Sequence, residues 1–526
     1  MTTKKSAEKK LVSIKKSPKS LGKPMKGRDI LVKALVNEGV TVIFGYPGGA
    51  SMEIHQGLTL APKIRMVLPR HEQGGSFAAG GYARATGEVG VCLATSGPGA
   101  TNLITGIIDA KMDSIPIIAI TGQVPSTVLG SDAFQETDIM GATFPLVKHS
   151  YMIQNVAEIP RIIHEAFHIA RTGRPGPVLV DIPKNIQQQE GVADFDVTFD
   201  CPSYRPNLKP SILQCKKAAH TIQAAKRPII YAGGGIISSG ASAELRAFVK
   251  KTGIPITTTV MGLGAYPSTD PLSLRMLGMH GAVYANIAMN HADLVIAMGV
   301  RFDDRVTGKL AEFCKNAQII HIDIDPTEIN KNIVVDIPIQ GDVKQALKIL
   351  HDYIEPNKDI KPWIKQVQGW KKEFPLEFKL KKGEIVPQAV VSEINKLADD
   401  NAIFSVGVGQ HQMWAAQFLD FDKPNNWLCS SGLGAMGYGL PAAMGAQVAF
   451  PDRQVINIEG DGSFLMNIQE LQTLKIENIA VKNIILNNAH LGMVAQWEDR
   501  FYKSIRGHTF IGDANFAEVA HAFGIK

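Results

Sequence analysis

A carboxylate and a carboxamide follow two neighbouring apolar runs in the last third of the sequence. Asp461 lies in a Gly-Asp-Gly corner after the run VINIEG, and Asn488 closes an Asn-Asn pair after the run KNIIL. The 27 positions between them fit one strand–helix–strand crossover, which brings both side chains to the carboxyl edge of a parallel sheet. Oxygen ligands with little charge suit Mg²⁺, which shares its octahedral shell with phosphates. The spacing therefore predicts a magnesium–diphosphate site.

The residues around Asp461 fit an anion as well as a cation. Gly460 and Gly462 let the backbone approach a ligand closely, and a helix that begins near Ser463 presents free amide hydrogens to a phosphate. Either half of the pattern alone is also typical of an ordinary turn with a capped helix. The two halves together, at this spacing, favour the ligand site.

Three blocks of apolar runs and helical segments must position these residues. Residues 188–211 and 355–386 are polar, contain proline and separate the blocks as linkers. Continuous apolar strands that alternate with helices are typical of parallel sheets covered on both faces, so we expect an α/β fold with three doubly wound domains. The predicted boundaries are a basic, disordered leader at 1–26 and domains at 27–190, 205–355 and 380–526.

The first and third blocks have the same internal order. The segment VCLATSGPGATNLITGIIDAKMDSIPIIAITG repeats the strand, glycine turn, helix, strand and polar tip that surround Asp461. Two similar blocks imply that each contributes half of one shared site.

Charge and cysteine content exclude several classes of protein. The first 27 residues hold nine lysines and one glutamate, a charge of +8, so the formal net charge of +6 leaves −2 for the rest of the chain. A nearly neutral body does not indicate nucleic-acid binding. No apolar run is long enough to span a membrane. Five scattered cysteines without a Cys-x-x-Cys pair indicate a reducing compartment and no zinc site.

The segment that ends in Asn488 resembles the cofactor motif of thiamine-diphosphate enzymes, in which Gly-Asp-Gly is followed after one crossover by Asn-Asn. The resemblance implies that Asp461, Asn488 and the backbone carbonyl of His490 hold the magnesium ion. Thiamine chemistry also needs a carboxyl group at the pyrimidine ring, because this group stabilises the imino tautomer that acts as the base. Glu72, in LPRHEQGGSFAAGGYARATG, fits that role by the same resemblance.

From residue 27 onward the chain resembles the large catalytic subunits of the acetolactate synthase family. The resemblance rests on GYPGGA, TSGPGATNL, DAFQETD, TGRPGPVLVDIPK, GVRFDDRVTGK, GLGAMGYGLPAA and GMVAQW. It implies an enzyme that decarboxylates pyruvate and joins the two-carbon unit to a second pyruvate or to 2-oxobutanoate. That reaction is the first shared step of valine, leucine and isoleucine synthesis.

The same resemblance assigns residues of the first and third blocks to the reaction. Met436 bends the cofactor into its reactive shape, while Gln135 and Gly49 lie with Glu72 at the reacting centre. The residues implied for thiamine diphosphate are Glu72, Gln410, His411, Met436, Gly462, Ser463 and Asn488. The residues implied for the substrates are Phe134, Lys184, Arg305 and Trp497.

Two of these assignments have plainer alternatives. Trp497 could equally be a half-buried aromatic residue of the surface without a role in the substrate pocket. Arg305 could equally form an ion pair with Asp303 or Asp304 instead of a bidentate contact to a substrate carboxylate. A pocket contact of the size of Trp497 is worth only about 1–3 kcal/mol, so no substrate ratio follows from it.

The second block resembles the flavin-binding domain of the anabolic members of the family. YAGGGIISSG reads as strand, glycine turn and helix, but it does not match Gly-x-Gly-x-x-Gly and alone is a weak indication. LGMHG, GVRFDDRVTG and HIDIDP strengthen the resemblance, which implies FAD in a largely structural role. The residues implied for FAD are Arg174, Gly234, His280, Arg301, Asp323 and Asp342.

Two other enzyme classes compete with this interpretation. HEAFH at 164–168 matches the zinc-protease pattern, but the apolar face of its helix predicts that His164, Glu165 and His168 mostly face solvent. Another thiamine-dependent enzyme, such as pyruvate oxidase, is the nearer alternative. Glu72 argues against glyoxylate carboligase, which has no acid at that position.

The resemblance also carries expectations about the chain as a whole. The sequence stops at FAEVAHAFGIK, where the family continues, so we expect an incomplete third domain, and an inactive truncated chain is an alternative. We expect 2-oxo acids as substrates, a homodimer or homotetramer with sites shared between chains, and a regulatory small subunit, but no nucleic acid or membrane. We expect a cytoplasmic location, with organellar targeting by the leader as an open alternative.

Overall fold

A computed structural model of the chain describes residues 23–198, 201–356 and 358–526. The predicted leader lies outside these residues except for its last four positions. Met25–Lys26 form a strand that pairs antiparallel with Glu190–Gly191, so this strand lies just before the predicted start of the first domain at residue 27.

The N-terminal domain is built on a parallel sheet with helices on both faces. Its strands are β1 (Met25–Lys26), β2 (Val42–Gly45), β3 (Arg65–Val67), β4 (Gly90–Ala94), β5 (Ile117–Gln123), β6 (His149–Met152), β7 (Val178–Pro183) and β8 (Glu190–Gly191). Its helices are α1 (Gly27–Asn37), α2 (Met52–Thr59), α3 (Glu72–Thr86), α4 (Pro98–Asn102), α5 (Ile104–Asp113), α6 (Ile139–Thr143), α7 (Ile159–Arg171) and α8 (Lys184–Gln188). The six-stranded sheet has the order β3-β2-β4-β5-β7-β6.

The apolar runs form this sheet because successive residues of each strand enter different cores. Ile43 and Val91 pack on one face of the sheet, whereas Phe44 and Cys92 pack on the other. A strand covered by helices on both faces needs apolar residues at every position, which is the pattern that the sequence shows.

The central domain has a second six-stranded parallel sheet. Its strands are β9 (Pro228–Ala232), β10 (Ile256–Thr258), β11 (Ser273–Met276), β12 (Leu294–Met298), β13 (Gln318–Asp323) and β14 (Ile337–Gln340). Its helices are α9 (Ile212–Ala224), α10 (Gly234–Ser238), α11 (Ser242–Thr252), α12 (Val283–His291), α13 (Asp304–Thr307), α14 (Val343–Tyr353) and α15 (Lys361–Glu373). The strand order is β11-β10-β9-β12-β13-β14, and every pair is parallel.

Helix α15 lies in the segment that the sequence indicated as a linker. Its Trp363 and Val367 are buried in the core of the central domain, and the Trp363 Nε1 donates a hydrogen bond of 2.9 Å to the carbonyl of Pro228. Much of residues 355–386 therefore belongs to the central domain. The prediction of a linker was wrong there, because the polar residues of α15 conceal a narrow apolar stripe.

The C-terminal domain has a four-stranded parallel sheet. Its strands are β15 (Ile403–Val406), β16 (Trp427–Cys429), β17 (Val455–Gly460) and β18 (Lys482–Leu486), in the order β16-β15-β17-β18. Its helices are α16 (Pro387–Leu397), α17 (Gln410–Phe418), α18 (Gly439–Ala449), α19 (Asp461–Leu465), α20 (Glu470–Glu477), α21 (Gly492–Phe501) and α22 (Phe516–Ala522). The predicted fold of three α/β domains with parallel sheets is confirmed. None of the described helices has the length and apolar character needed to cross a membrane.

The N-terminal and C-terminal domains share one hydrophobic core. Phe44 and Ala78 of the first domain pack in the same cluster as Met444 and Phe464 of the third. Helices α3 and α18 cross at small residues, and a Cβ added to Gly81 would lie 2.6 Å from the Cα of Ala442. Small residues at this crossing bring the two backbones into close contact.

Candidate active site

The predicted strand tips of the C-terminal domain lie side by side. Strands β17 and β18 are paired in parallel, and Gly460 lies opposite Leu486. Asp461 therefore follows one strand and the Asn-Asn pair follows its neighbour at the same edge of the sheet. The cleft at this edge is lined by eight of the residues predicted for the cofactor and the metal: Gln410, His411, Met436, Asp461, Gly462, Ser463, Asn488 and His490.

Asp461 is buried at the base of this cleft, as the first residue of α19. Its Oδ1 accepts a hydrogen bond of 3.0 Å from the Gly462 amide, and its Oδ2 has no hydrogen-bond partner among the described residues. A buried carboxylate oxygen without a donor is costly unless a cation or another donor meets it. The residue thus fits the predicted role of a magnesium ligand.

Asn488 and His490 form a tight turn at the mouth of the cleft. The Asn488 Oδ1 accepts a hydrogen bond of 3.0 Å from the His490 amide, and the Asn488 carbonyl lies 2.9 Å from the His490 Nδ1. The imidazole of His490 packs edge-on against Phe510 at 5.3 Å. The ring of His490 is thus engaged with neighbouring residues, which is compatible with the predicted role of its backbone carbonyl alone.

Glycines keep the floor of the cleft free of side chains. A Cβ added to Gly460 would lie 2.7 Å from the His411 Nδ1, and one added to Gly462 would lie 2.9 Å from Leu491. Helix α17 begins at Gln410, and its first two residues line the same space. A bare backbone at a helix start fits a diphosphate.

Glu459 is a buried acid that the sequence analysis did not identify. Its Oε1 accepts a hydrogen bond of 3.1 Å from the Leu440 amide, and its Oε2 lies 3.8 Å from the Nε2 of His411. Burial raises the pKa of Glu459 to about 8 and lowers the pKa of His411 to about 3. Burial thus favours the neutral form of both groups beneath the cleft. The only signal in the sequence is an acid within the apolar run before Gly-Asp-Gly.

Glu72 begins α3, and its carboxylate is oriented by a neighbouring amide. The Asn102 Nδ2 donates a hydrogen bond of 3.0 Å to the Glu72 Oε2. A Cβ at Gly99 would lie 3.3 Å from the other oxygen, so the absence of a side chain there leaves room for the acid. Glu72 belongs to the N-terminal domain and is not among the residues that line the cleft of the same chain.

Two other residues predicted at the reacting centre, Gly49 and Gln135, lie at the carboxyl edge of the N-terminal sheet, and so do two residues predicted for the substrates, Phe134 and Lys184. Gly49 follows β2, and Lys184 follows β7 as the first residue of α8. Gln135 has a positive φ of 60°, and its backbone carbonyl lies 2.8 Å from the Cβ position of Gly97, which follows β4. Phe134, beside Gln135, is 89% exposed. This edge of the N-terminal sheet therefore carries an exposed aromatic side chain.

Trp497 lies on α21 of the C-terminal domain, and Arg305 lies on α13 of the central domain. Trp497, on α21, is 39% exposed and stacks on Phe501 with 5.0 Å between ring centroids. Arg305 is exposed, and its Nε lies 3.7 Å from a carboxylate oxygen of Asp304, which is the ion pair that the sequence left as an alternative. Burial and then the charges of Arg305 and of Arg500, on α21, lower the pKa of His280. The charges of both arginines therefore act on His280.

The residues predicted for FAD lie mostly at one edge of the central sheet. Five of them follow the carboxyl ends of strands: Gly234 after β9, His280 after β11, Arg301 after β12, Asp323 at the end of β13 and Asp342 after β14. Burial raises the pKa of Asp323 to about 6. The sixth residue, Arg174, reaches this edge from the N-terminal domain and pairs with Asp325 at 3.1 Å and with Glu328 at 2.7 Å.

The zinc-protease pattern does not form a metal site. On α7, the His164 Nδ1 lies 2.6 Å from Glu38, and Glu165 accepts hydrogen bonds from Arg161 and Tyr151. Glu165 is buried, so the prediction that it faces solvent was wrong, because two hydrogen-bond donors satisfy its charge inside the domain. The described residues contain no group of three or more His, Cys, Asp or Glu side chains that fits a metal ion.

Comparison with known proteins identifies relatives over nearly the whole chain. Three family models match: the N-terminal TPP binding domain of thiamine pyrophosphate enzymes at 25–142, their central domain at 215–350 and their C-terminal TPP binding domain at 407–526. The chain is 56% identical to acetolactate synthase 3, chloroplastic, of Brassica napus, over 93% of this chain and 76% of the relative. It is 55% identical to acetolactate synthase, chloroplastic, of Arabidopsis thaliana, over 93% and 74%. It is 53% identical to acetolactate synthase 1, chloroplastic, of Zea mays, over 95% and 81%.

Proposed function

Because the chain belongs to the acetolactate synthase family of thiamine-diphosphate enzymes, we propose that it decarboxylates pyruvate and joins the two-carbon unit to a second 2-oxo acid. With pyruvate or 2-oxobutanoate as the acceptor, this is the first shared step of branched-chain amino-acid synthesis. The observation that carries the proposal is the cleft beside Asp461, where a buried, unpaired carboxylate oxygen adjoins a glycine floor and a helix start. Thiamine diphosphate supplies the carbanion chemistry when it is bound there.

In the proposal, residues of the C-terminal domain bind the diphosphate and a magnesium ion. The metal ligands are Asp461, Asn488 and the carbonyl of His490. Gln410, His411, Gly462 and Ser463 hold diphosphate oxygens, and Met436 supports the bent form of the cofactor. His411 is neutral at pH 7 because burial lowers its pKa to about 3, so it acts as a hydrogen-bonding group and not as a cation.

In the proposal, Glu72 binds the pyrimidine ring from a second chain. Its hydrogen bond from Asn102 fixes the carboxyl group, which then holds a proton at the ring nitrogen. Because Glu72 does not line the cleft of its own chain, a homodimer with two shared sites completes the arrangement. Gly49 and Gln135 lie on the same edge as Glu72, where the Gln135 side chain contacts a reacting oxygen.

The proposed acceptor pocket combines residues of all three domains. Phe134 and Lys184 come from the N-terminal domain, Arg305 from the central domain and Trp497 from the C-terminal domain. Arg305 is exposed and its contact to Asp304 is long, so the guanidinium is available to a substrate carboxylate. Trp497 bounds the pocket on the side of the acceptor's alkyl group.

We also propose that the central domain binds FAD at the carboxyl edge of its sheet. The turn after β9 has no side chains at Gly234 and Gly235, and a Cβ at Gly235 would lie 2.6 Å from the Cα of Gly299. A bare turn of this kind at a sheet edge fits a dinucleotide. The proposed contacts are Arg174, Gly234, His280, Arg301, Asp323 and Asp342.

Higher oligomers, a regulatory small subunit and the cellular location remain predictions. The plant relatives are named as chloroplastic, which favours organellar targeting as an alternative to the cytoplasmic location that we expected.

An omission assay tests the proposed function. Purified protein is incubated with pyruvate and with thiamine diphosphate, Mg²⁺ and FAD, each left out in turn, and acetolactate and acetate are measured. We expect acetolactate only when thiamine diphosphate and Mg²⁺ are both present. Acetate as the main product, with reduction of the flavin, would favour an oxidase and contradict the proposal.

Two variants separate the proposed halves of the site. Glu72→Gln is expected to lose most activity and to retain cofactor binding, whereas Glu88→Gln, an exposed control just after α3, keeps both. Asp461→Ala is expected to lose Mg²⁺-dependent binding of thiamine diphosphate, whereas the exposed control Asp452→Ala retains it. Normal turnover of Glu72→Gln, or unchanged cofactor affinity of Asp461→Ala, would refute the respective assignment.

A further inference from the structure

The loop that carries Met436 is anchored to the N-terminal domain. This loop, residues 430–437, joins β16 to α18 and begins with two amides that point at one carboxylate. The Asp113 Oδ1 accepts a hydrogen bond of 2.7 Å from the Gly432 amide, and its Oδ2 accepts one of 2.9 Å from the Ser431 amide. Asp113 is the last residue of α5, and its side chain is completely buried.

Arg84 fixes the orientation of the Asp113 carboxylate. Its Nη2 lies 2.8 Å from the Asp113 Oδ2 and 3.1 Å from Asp109, and all three side chains are at most 4% exposed. The guanidinium also lies over the ring of Tyr438, which precedes α18, at 5.3 Å. Apolar residues would fill this space without the cost of burying charges, so the network favours a role in setting geometry.

The other end of the loop is attached to the cofactor cleft. The Gly437 amide donates a hydrogen bond of 3.0 Å to the Ser463 Oγ, and the Gly437 carbonyl accepts one of 2.8 Å from Asn467. Met436 lies between the two anchors, and its Cε is 3.3 Å from the Cβ position of Gly462, inside the cleft. The position of the Met436 side chain therefore depends on both anchors.

The same loop also contacts the central domain. The Nη2 of Arg301 lies 3.1 Å from the Cβ position of Gly432, the residue whose amide Asp113 binds. Residues of all three domains thus meet at the start of the loop, which contains Met436 four positions later.

We propose that Asp113 is a positioning residue that sets, through the backbone of residues 431 and 432, the height of Met436 over the cofactor cleft. The proposal rests on the proposed function, because it assigns Asp113 to the support of the thiamine cofactor. Asp113 does not touch the cofactor and acts only through the loop. Arg84 and Asp109 hold its carboxylate in the required orientation.

The test is a double-mutant cycle with Asp113→Asn and Met436→Ala. Two quantities are measured in the holoenzyme: the Kd of thiamine diphosphate at saturating Mg²⁺ by calorimetry, and the rate of hydrogen exchange at the reactive carbon of bound cofactor by NMR. The asparagine amide replaces one acceptor by a donor, so one charge-assisted bond to the loop is lost, and the exchange rate should fall about tenfold. In the Met436→Ala background the same change should have little further effect, because the two residues act as one unit.

A matched control separates positioning from loss of stability. Asp420→Asn breaks another ion pair between domains, with Arg275, and the described contacts of Asp420 do not include the loop. It should lower the midpoint of thermal unfolding and leave the exchange rate unchanged. If Asp113→Asn does not fold, Arg84→Lys takes its place in the cycle, because lysine lacks the planar guanidinium whose Nη2 contacts both carboxylates.

The outcomes distinguish this inference from the proposed function. Wild-type protein that does not bind thiamine diphosphate with Mg²⁺ would refute the proposed function and the inference with it. Wild-type protein that binds, together with an Asp113→Asn variant that exchanges at the wild-type rate, would refute the inference alone. Additive effects of Asp113→Asn and Met436→Ala would also refute it, because Asp113 would then act by another route.

Discussion

The crossing of α3 and α18 makes Gly81 the position where one added methyl group should separate two domains. A Cβ there would lie 2.6 Å from the Cα and 2.7 Å from the carbonyl carbon of Ala442, and it would lie closer still to the carbonyl oxygen. All three atoms belong to the backbone of α18, so no side chain can rotate away. Gly81→Ala must therefore move one helix relative to the other.

Gly80 supplies a control one residue earlier in the same helix. It is buried like Gly81, but a Cβ there would have no atom within 4 Å. Both substitutions gain the same helix propensity, about 1 kcal/mol for alanine over glycine. The difference in the free energy of unfolding between the two variants therefore measures the clash alone. We expect about 3 kcal/mol, the upper end of the usual cost of overpacking a core, because the backbone itself must shift.

The assay is the midpoint of thermal unfolding of the apoprotein, followed by circular dichroism. For a domain of this size, a difference of about 3 kcal/mol corresponds to a gap of roughly 6–12 °C between the variants, with Gly80→Ala the more stable. Gly81→Ala should also expose apolar surface, measured by dye binding below the transition. Equal midpoints for the two variants would show that the helices are not in close contact at Gly81, and the shared core would then need revision.

Three further predictions concern charge, the N-terminal loop and the metal. Burial raises the pKa of Glu470 from 4.5 to about 7. The stabilisation from the protonated carboxyl group is therefore fully present below pH 4.5 and is lost as the pH rises through 7. Glu470→Gln should remove this pH dependence from the midpoint of thermal unfolding, measured between pH 4 and 8. Gln123 donates a hydrogen bond of 3.0 Å to the Thr137 carbonyl, close to the segment that holds Gln135. Gln123→Leu should therefore raise the KM for the acceptor substrate as well as lower the midpoint of thermal unfolding. The exposed control Gln188→Leu should leave that KM unchanged. Chelation of Mg²⁺ should release thiamine diphosphate, measured by dialysis, and added Mg²⁺ should restore binding; retention of the cofactor would contradict the metal assignment.

The sequence predicted the parts of the fold that depend on local pattern. The apolar runs VINIEG and KNIIL form the paired strands β17 and β18, and the crossover between Asp461 and Asn488 has the predicted length. Short or polar strands did not show this signal: β16 has three residues, and β6 reads HSYM. Helix α15 was hidden by its polar residues for the same reason.

The features that the sequence did not reveal depend on contacts between distant segments. Glu459 is buried because Gly407 and Gly439 come close to it from two other elements. Asp113 binds the amide of Gly432, which lies 319 positions later. Glu165 is buried where it accepts hydrogen bonds from Tyr151, on strand β6, and from Arg161, on its own helix. Local periodicity contains no information about partners of this kind.

The core shared by the first and last domains has a consequence for protein synthesis. The ribosome must translate 361 residues between Gly81 and Ala442, which takes on the order of tens of seconds at about 5–20 residues per second. Throughout that interval Phe77 and Ala78 cannot pack against α18, and the nascent N-terminal domain exposes an apolar surface that is prone to aggregation. Chaperones that bind this surface, and expression at low temperature, should therefore raise the yield of native protein.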